Sequence, residues 1–177
     1  MSIYTEIAHR VNEGRLFPVA PALPGATGVR QFYASIEIHR LIVGPWSERG
    51  WEARCGFLRA DFDQFIEGRL ITIATRPYKA KTAYMARLHP PREEVWEIRS
   101  RDPNPGVRVF GRFADTDIFV ALTWSKRADL KGPKSREWRD ARETCKVDWR
   151  NLFPVYNPIT GNGGDFHEYV SANTVLI

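Results

Sequence analysis

The chain has little of what metal centres and covalent nucleophiles are built from. Among 177 residues there are two cysteines, Cys55 and Cys145, and four histidines. Two cysteines are too few for a disulfide framework or a structural zinc site. His9, His39, His89 and His167 are scattered, with no His-Cys or HExxH spacing. The one local acid-histidine cluster, Asp165-Phe166-His167-Glu168, reads as a surface loop. No Gly-x-Ser-x-Gly elbow occurs, and Gly161-Asn162-Gly163-Gly164 lacks the Lys-Ser/Thr of a phosphate-binding loop, so it reads as a turn. Neither a metal nor a cofactor is expected. No run of about 18 apolar residues exists, which speaks against a membrane span. The opening Met1-Ser2-Ile3-Tyr4-Thr5-Glu6 has neither a basic start nor an apolar stretch, so the expectation is a reduced, cytoplasmic protein.

What the chain does have is apolar bulk and positive charge. It is 43% hydrophobic and 12% aromatic, with six Trp and ten Phe, enough to bury a core. The net charge of +5 and a pI of about 9.4 favour a polyanionic or acidic partner.

Residues 1–29 read as an N-terminal arm. A short helix fits between Ser2 and Leu16, and Pro18, Pro21, Pro24, Gly25 and Gly28 then break regular structure. Residues 30–153 read as one core domain. Gln31 to Val43 alternates in part and is expected as a strand, closed by Gly44-Pro45. Phe57, Leu58, Phe62, Phe65 and Ile66 recur at helical spacing, which predicts a helix over 53–67 ended by Gly68. Arg69 to Thr75 is a short β-branched run, and Tyr78 to Leu88 fits strand or helix equally. Val95 to Arg99, Val107 to Phe113 and Ile118 to Trp124 predict three strands in an antiparallel meander over 95–124. Between the first two, Asp102-Pro103-Asn104-Pro105-Gly106 is a turn. The last strand is almost continuously apolar, as in a central strand covered on both faces. Ser135 is placed to cap a helix over 135–152, with Trp138, Ala141, Cys145, Trp149 and Leu152 on one stripe. On that stripe Cys145 is a small hydrophobe and not a reactive thiolate. Of the six tryptophans, Trp46 and Trp51 are expected outside the core. Residues 154–177 form a tail with a candidate closing strand at Tyr169 to Ile177. The fold class is therefore α+β: a mostly antiparallel sheet with the meander at its centre, packed by two helices.

Charge gathers on one part of this frame. From Lys126 to Arg150 there are nine Lys/Arg against five Asp/Glu. Arg139, Arg142, Lys146 and Arg150 form a stripe beside the apolar one on the last helix. Arg108 and Arg112 lie four apart on a strand and share a side with Phe110, while Glu97, Arg99 and Arg101 share one face of the strand before. Converging arginines and an aromatic are what a phosphate backbone requires. The bland alternative is a charged surface whose arginines pair with carboxylates, Arg108 with Glu97 for instance.

The stretch Val95-Trp96-Glu97-Ile98-Arg99, then Val107-Arg108-Val109-Phe110-Gly111-Arg112-Phe113, then Ile118 to Arg127 resembles the strand core of the RelE/ParE/HigB superfamily of bacterial toxins. Order, spacing and the helix after the last strand agree over about residues 94–150. The resemblance implies a small α/β sheet and ribosome-dependent mRNA cleavage, or gyrase inhibition in the ParE branch. By position, Arg108 is similar to the arginine that meets the scissile phosphate, Lys126 and Arg127 to the basic pair after the last strand, and Arg99 and Arg101 to basic residues on the preceding strand. The tyrosine that some members carry beyond the basic pair is unmatched, since that region reads Leu130-Lys131-Gly132-Pro133.

The resulting expectation is a basic nucleic-acid-binding protein acting as a metal-independent, ribosome-associated endoribonuclease toxin. Its catalytic group would be Arg108, Arg112, Lys126 and Arg127. Its binding group would be Arg99, Arg101, Arg139, Arg142, Lys146 and Arg150. RNA, the ribosome or an acidic antitoxin are the expected partners. The alternative, from a different class, is a non-catalytic phage- or plasmid-type module that inhibits an acidic protein partner.

Overall fold

The structure is a computed structural model, and it describes residues 2–75, 81–132, 134–161 and 166–177. Among the described residues four α-helices flank one eight-stranded sheet. In chain order these are α1 (Ile3–Asn12), β1 (Leu16–Pro18), β2 (Gln31–Ser35), α2 (Ile36–Val43), α3 (Trp51–Ile66), β3 (Ile71–Ala74), β4 (Met85–Arg87), β5 (Trp96–Ser100), β6 (Val107–Asp115), β7 (Ile118–Lys126), α4 (Arg136–Leu152) and β8 (Thr174–Leu176). Across the sheet the strands run β1-β2-β7-β6-β5-β4-β3-β8.

The class is α+β, and the antiparallel meander β5-β6-β7 lies in the middle of the sheet. The sheet as a whole is mixed, which corrects the mostly antiparallel expectation. β2 runs parallel to β7, and β3 runs parallel to both β4 and β8. For β2 and β7 the physical reason is the long connection: α2 and α3 carry the chain from β2 over one face before the meander begins, and connections of this kind permit parallel pairing.

Alternation along the strands supplies two cores. Phe119 and Ala121 of β7 pack with Leu58, Phe62 and Phe65 of α3, whereas Val120 and Leu122 pack with Cys145, Trp149 and Leu152 of α4. β7 is thus covered on both faces, as its apolar run predicts. Cys145 is fully buried among these residues, and burial pushes its thiol up, consistent with an inert packing role. β6 bends at a register shift between Phe110 and Gly111. A Cβ on Gly111 would stand 2.3 Å from the Val120 carbonyl oxygen, so this close approach requires glycine.

Gln31 to Val43 is not one strand. β2 stops at Ser35, whose hydroxyl accepts from the Ile38 amide at 3.3 Å and caps α2. In that helix Ile38 and Leu41, three apart, face the core; the apparent alternation of Ile36 and Ile38 leaves Ile36 exposed. α3 and α4 match their predicted spans, and the Ser135 hydroxyl caps α4 through the Trp138 amide. Trp51 is buried as the first residue of α3, against the expectation for it, and Trp46 is half-buried on the same core. Residues 1–29, expected as an arm, place β1 on the sheet beside β2, and the tail adds β8 beside β3. In the Tyr78 to Leu88 stretch, Met85–Arg87 is strand β4; Tyr78 lies outside the described residues. So does Asp165 of the acid-histidine cluster, whose remaining residues form a 3-10 turn. Among the described residues no group of acidic, His and Cys side chains is arranged to hold a metal, and no helix is long and apolar enough to cross a membrane.

Candidate functional site

On the α4 face of the sheet, between the ends of β5 and β6 and the first turns of α4, lies a cavity of about 910 Å³. Strand alternation sends Glu97, Arg99 and Arg101 from β5 and its continuation to this side, with Arg108 from β6. Arg127 enters from the 3-10 turn after β7, and Arg139 and Arg142 come from α4. Six of the ten residues singled out from the sequence therefore meet in one place. Lys81 and Lys134 join them, so among the described residues eight cationic side chains line the cavity against one carboxylate, Glu97.

Glu97 is the organising anion. Its side chain is 2% exposed, and Oε1 accepts from Arg99 Nε at 2.8 Å and Nη2 at 2.7 Å. Oε2 lies 3.4 Å from Arg108 Nε. Arg99 and Arg108 are direct cross-strand partners, so one carboxylate between them relieves a like-charge pair. Arg108 also donates to the Val107 and Ser100 carbonyls at 3.0 and 3.3 Å. Burial lowers its pKa to about 10; Glu97 opposes that shift, and Arg99, Arg127 and Arg101 add to it. Arg108 is thus held in a crowded positive field that an incoming anion would relieve.

The other cations are fixed differently. Arg101 donates to the Ala83 carbonyl at 2.6 Å and the Lys81 carbonyl at 3.0 Å, Arg127 to the Lys131 carbonyl at 3.0 Å, and Arg139 to the Lys134 carbonyl at 3.4 Å. Backbone carbonyls orient these guanidiniums without cancelling their charge. Among the described residues no carboxylate stands in ion-pairing distance of Arg101, Arg127 or Arg139. Arg142 is tied to the His89 carbonyl and lies 3.5 Å from Glu93.

Four sequence candidates fall elsewhere. Arg112 shares the α4 face with Arg108, but α4 covers it: it donates to the Glu93 and Glu94 carbonyls and lies 5.5 Å from the Trp149 ring. Burial lowers its pKa as well. Lys126, one residue before Arg127 on a strand, points to the opposite face, where it pairs with Glu48 at 3.0 Å and lies 5.3 Å from the Trp51 ring. The basic pair is therefore split where β7 ends at Lys126 and the 3-10 turn begins at Arg127. Lys146 is held by Glu143 at 2.8 Å and Glu93 at 3.3 Å, and Arg150 points along α4 toward Glu143 at 4.0 Å.

Sequence reasoning missed Lys81, Lys134 and an apolar wall of Leu88, Pro90 and Trp138. Lys134 belongs to the basic loop already noted, but Lys81 carries no local signal; only the β4–β5 pairing brings it in. Trp138 packs on Phe110 with ring centres 5.7 Å apart, close to perpendicular. The cavity can hold an anion of several charges beside an apolar surface. Comparison with known proteins finds no matching family model, no matching curated protein and no matching solved structure.

Proposed function

We propose that this cavity binds the phosphate backbone of RNA. The observation that carries the reading is that Arg101, Arg127 and Arg139 converge on it with no carboxylate among the described residues in ion-pairing distance, beside the Glu97-clamped pair Arg99 and Arg108. A surface of mutually neutralised ion pairs would not leave three oriented guanidiniums outside any close ion pair. The resemblance to RelE/ParE/HigB toxins extends the reading to metal-independent cleavage. There the 2′-hydroxyl loses its proton to solvent as its oxygen attacks the adjacent phosphorus, a 2′,3′-cyclic phosphate forms, and the P–O5′ bond breaks with the 5′-oxygen taking up a proton. In this reading Arg108 and Arg127, both in the cavity lining, would hold the charge that develops on the phosphate oxygens.

Binding of a labelled RNA at two or more salt concentrations tests the backbone reading. Affinity is expected to fall steeply with salt, and Arg139→Ala to flatten the slope by about one. Salt-independent binding would favour an acidic protein as the partner, and purified protein free of copurified nucleic acid would point the same way.

A further inference from the structure

One lip of the cavity is the turn 101–106, which contributes Arg101, Asn104 and Gly106 to its lining. Its two ends are anchored on the cavity side. Arg101 donates to the Lys81 and Ala83 carbonyls, and the Arg127 amide donates to the Gly106 carbonyl at 2.7 Å. Gly106 is tightly enclosed, since a Cβ there would stand 2.1 Å from the Ser100 carbonyl oxygen and 2.8 Å from the Arg101 Cα. The tip is held from somewhere else. Arg54, on α3 across the sheet, donates through one nitrogen to the Pro103 carbonyl at 2.9 Å and to the Pro105 carbonyl. Among the described residues no other hydrogen bond ties positions 102–105 to the rest of the chain.

Arg54 is itself aimed by packing. Its guanidinium lies 5.5 Å from the Trp51 ring, and Trp51 packs edge-on against Trp124 of β7 at 5.1 Å. A line of side-chain contacts thus runs from β7 through α3 to the tip of the lip.

We infer that Arg54 is a positioning residue for the cavity: from the far face of the sheet it holds the turn that places Arg101, Asn104 and Gly106, and through Gly106 the backbone of Arg127. This inference rests on the phosphate-binding reading. A residue that meets phosphate displaces counterions, and its loss lowers the salt slope by about one. A residue that only orders the lip costs affinity without touching that slope. The two roles are therefore separable.

The experiment compares the full chain with Arg54→Ala, Arg54→Lys and Arg139→Ala, using a fluorescein-labelled single-stranded RNA of ten nucleotides titrated at several salt concentrations. Arg54→Ala is expected to raise Kd three- to tenfold with an unchanged salt slope. Arg54→Lys, which keeps the charge but reaches two carbonyls poorly, should behave like the alanine variant. Hydrogen exchange at the Arg127 amide, which donates to the Gly106 carbonyl at 2.7 Å, should accelerate in both Arg54 variants without any RNA present, whereas Arg139→Ala leaves it unchanged. An unchanged Kd overturns the inference, as does a slope reduced by about one, which would make Arg54 a direct phosphate contact. Unchanged amide exchange overturns it independently of any ligand. Wild-type protein that binds no RNA while Arg54→Ala still loosens the turn would locate the failure in the phosphate reading, and the positioning role would fall with it.

Discussion

Arg108 Nε stands 3.4 Å from Glu97 Oε2, across neighbouring strands and inside the basic cavity. The two explanations that the sequence offers for Arg108, a phosphate contact and a structural ion pair, are therefore not exclusive. Glu97 spends one oxygen on Arg99 and presents the other to Arg108, and both guanidiniums remain in the cavity lining. A buried carboxylate here offsets repulsion between two arginines that the strand register forces together.

That arrangement makes a split prediction for Arg108→Lys. An ammonium can keep the attraction to Glu97 but cannot offer two parallel donors to a phosphate. The variant is expected to melt within a few degrees of wild type and to retain most non-specific RNA binding. Cleavage of free or ribosome-bound RNA should fall roughly tenfold or more. A stable variant with unchanged cleavage would remove Arg108 from the site. A large loss of melting temperature would assign it to structure.

Trp149 closes α4 onto the sheet. It is 1% exposed, its indole nitrogen donates to the Tyr156 carbonyl at 2.8 Å, and its ring lies against both Phe153 and Arg112. Trp149→Ala is expected to cost about 3–5 kcal/mol, as for a truncated core aromatic. For a chain of this length that is roughly 6–20 °C in a thermal melt. A shift of a degree or two would mean that α4 is peripheral.

The tail is fastened by Tyr169, whose hydroxyl donates to Glu94 Oε2 at 2.7 Å and accepts from the Gly161 amide at 2.6 Å. Burial, reinforced by Glu94, raises the phenol from an ordinary 10.0 to about 12. Between those values the unfolded chain has lost a proton that the fold retains. Stability is therefore present below pH 10 and lost as pH rises toward 12. Denaturant unfolding of wild type and Tyr169→Phe at pH 8, 10 and 11.5 checks this; the variant should decline less steeply across that window. Parallel declines would show that Tyr169 does not govern the alkaline limb.

By itself, the sequence determined the elements whose signal is local. The meander is legible because its three apolar runs are separated by turn residues, and α4 because Ser135 caps a stripe from Trp138 to Leu152. It also placed Arg99, Arg101, Arg108, Arg127, Arg139 and Arg142 among the candidates that the cavity collects. Only the tertiary structure decided which cations share a ligand space. Lys126 ends β7 on the α3 face while Arg127 opens the 3-10 turn that enters the cavity, and the bend at Gly111 and the cover of α4 take Arg112 out of it. The parallel pairing of β2 with β7, the arrival of Lys81 at the cavity and the bond from Arg54 to the turn 101–106 join residues far apart in the chain. Periodicity reports which face a residue occupies on its own element; what lies across that face is set by long-range packing, which no local pattern encodes.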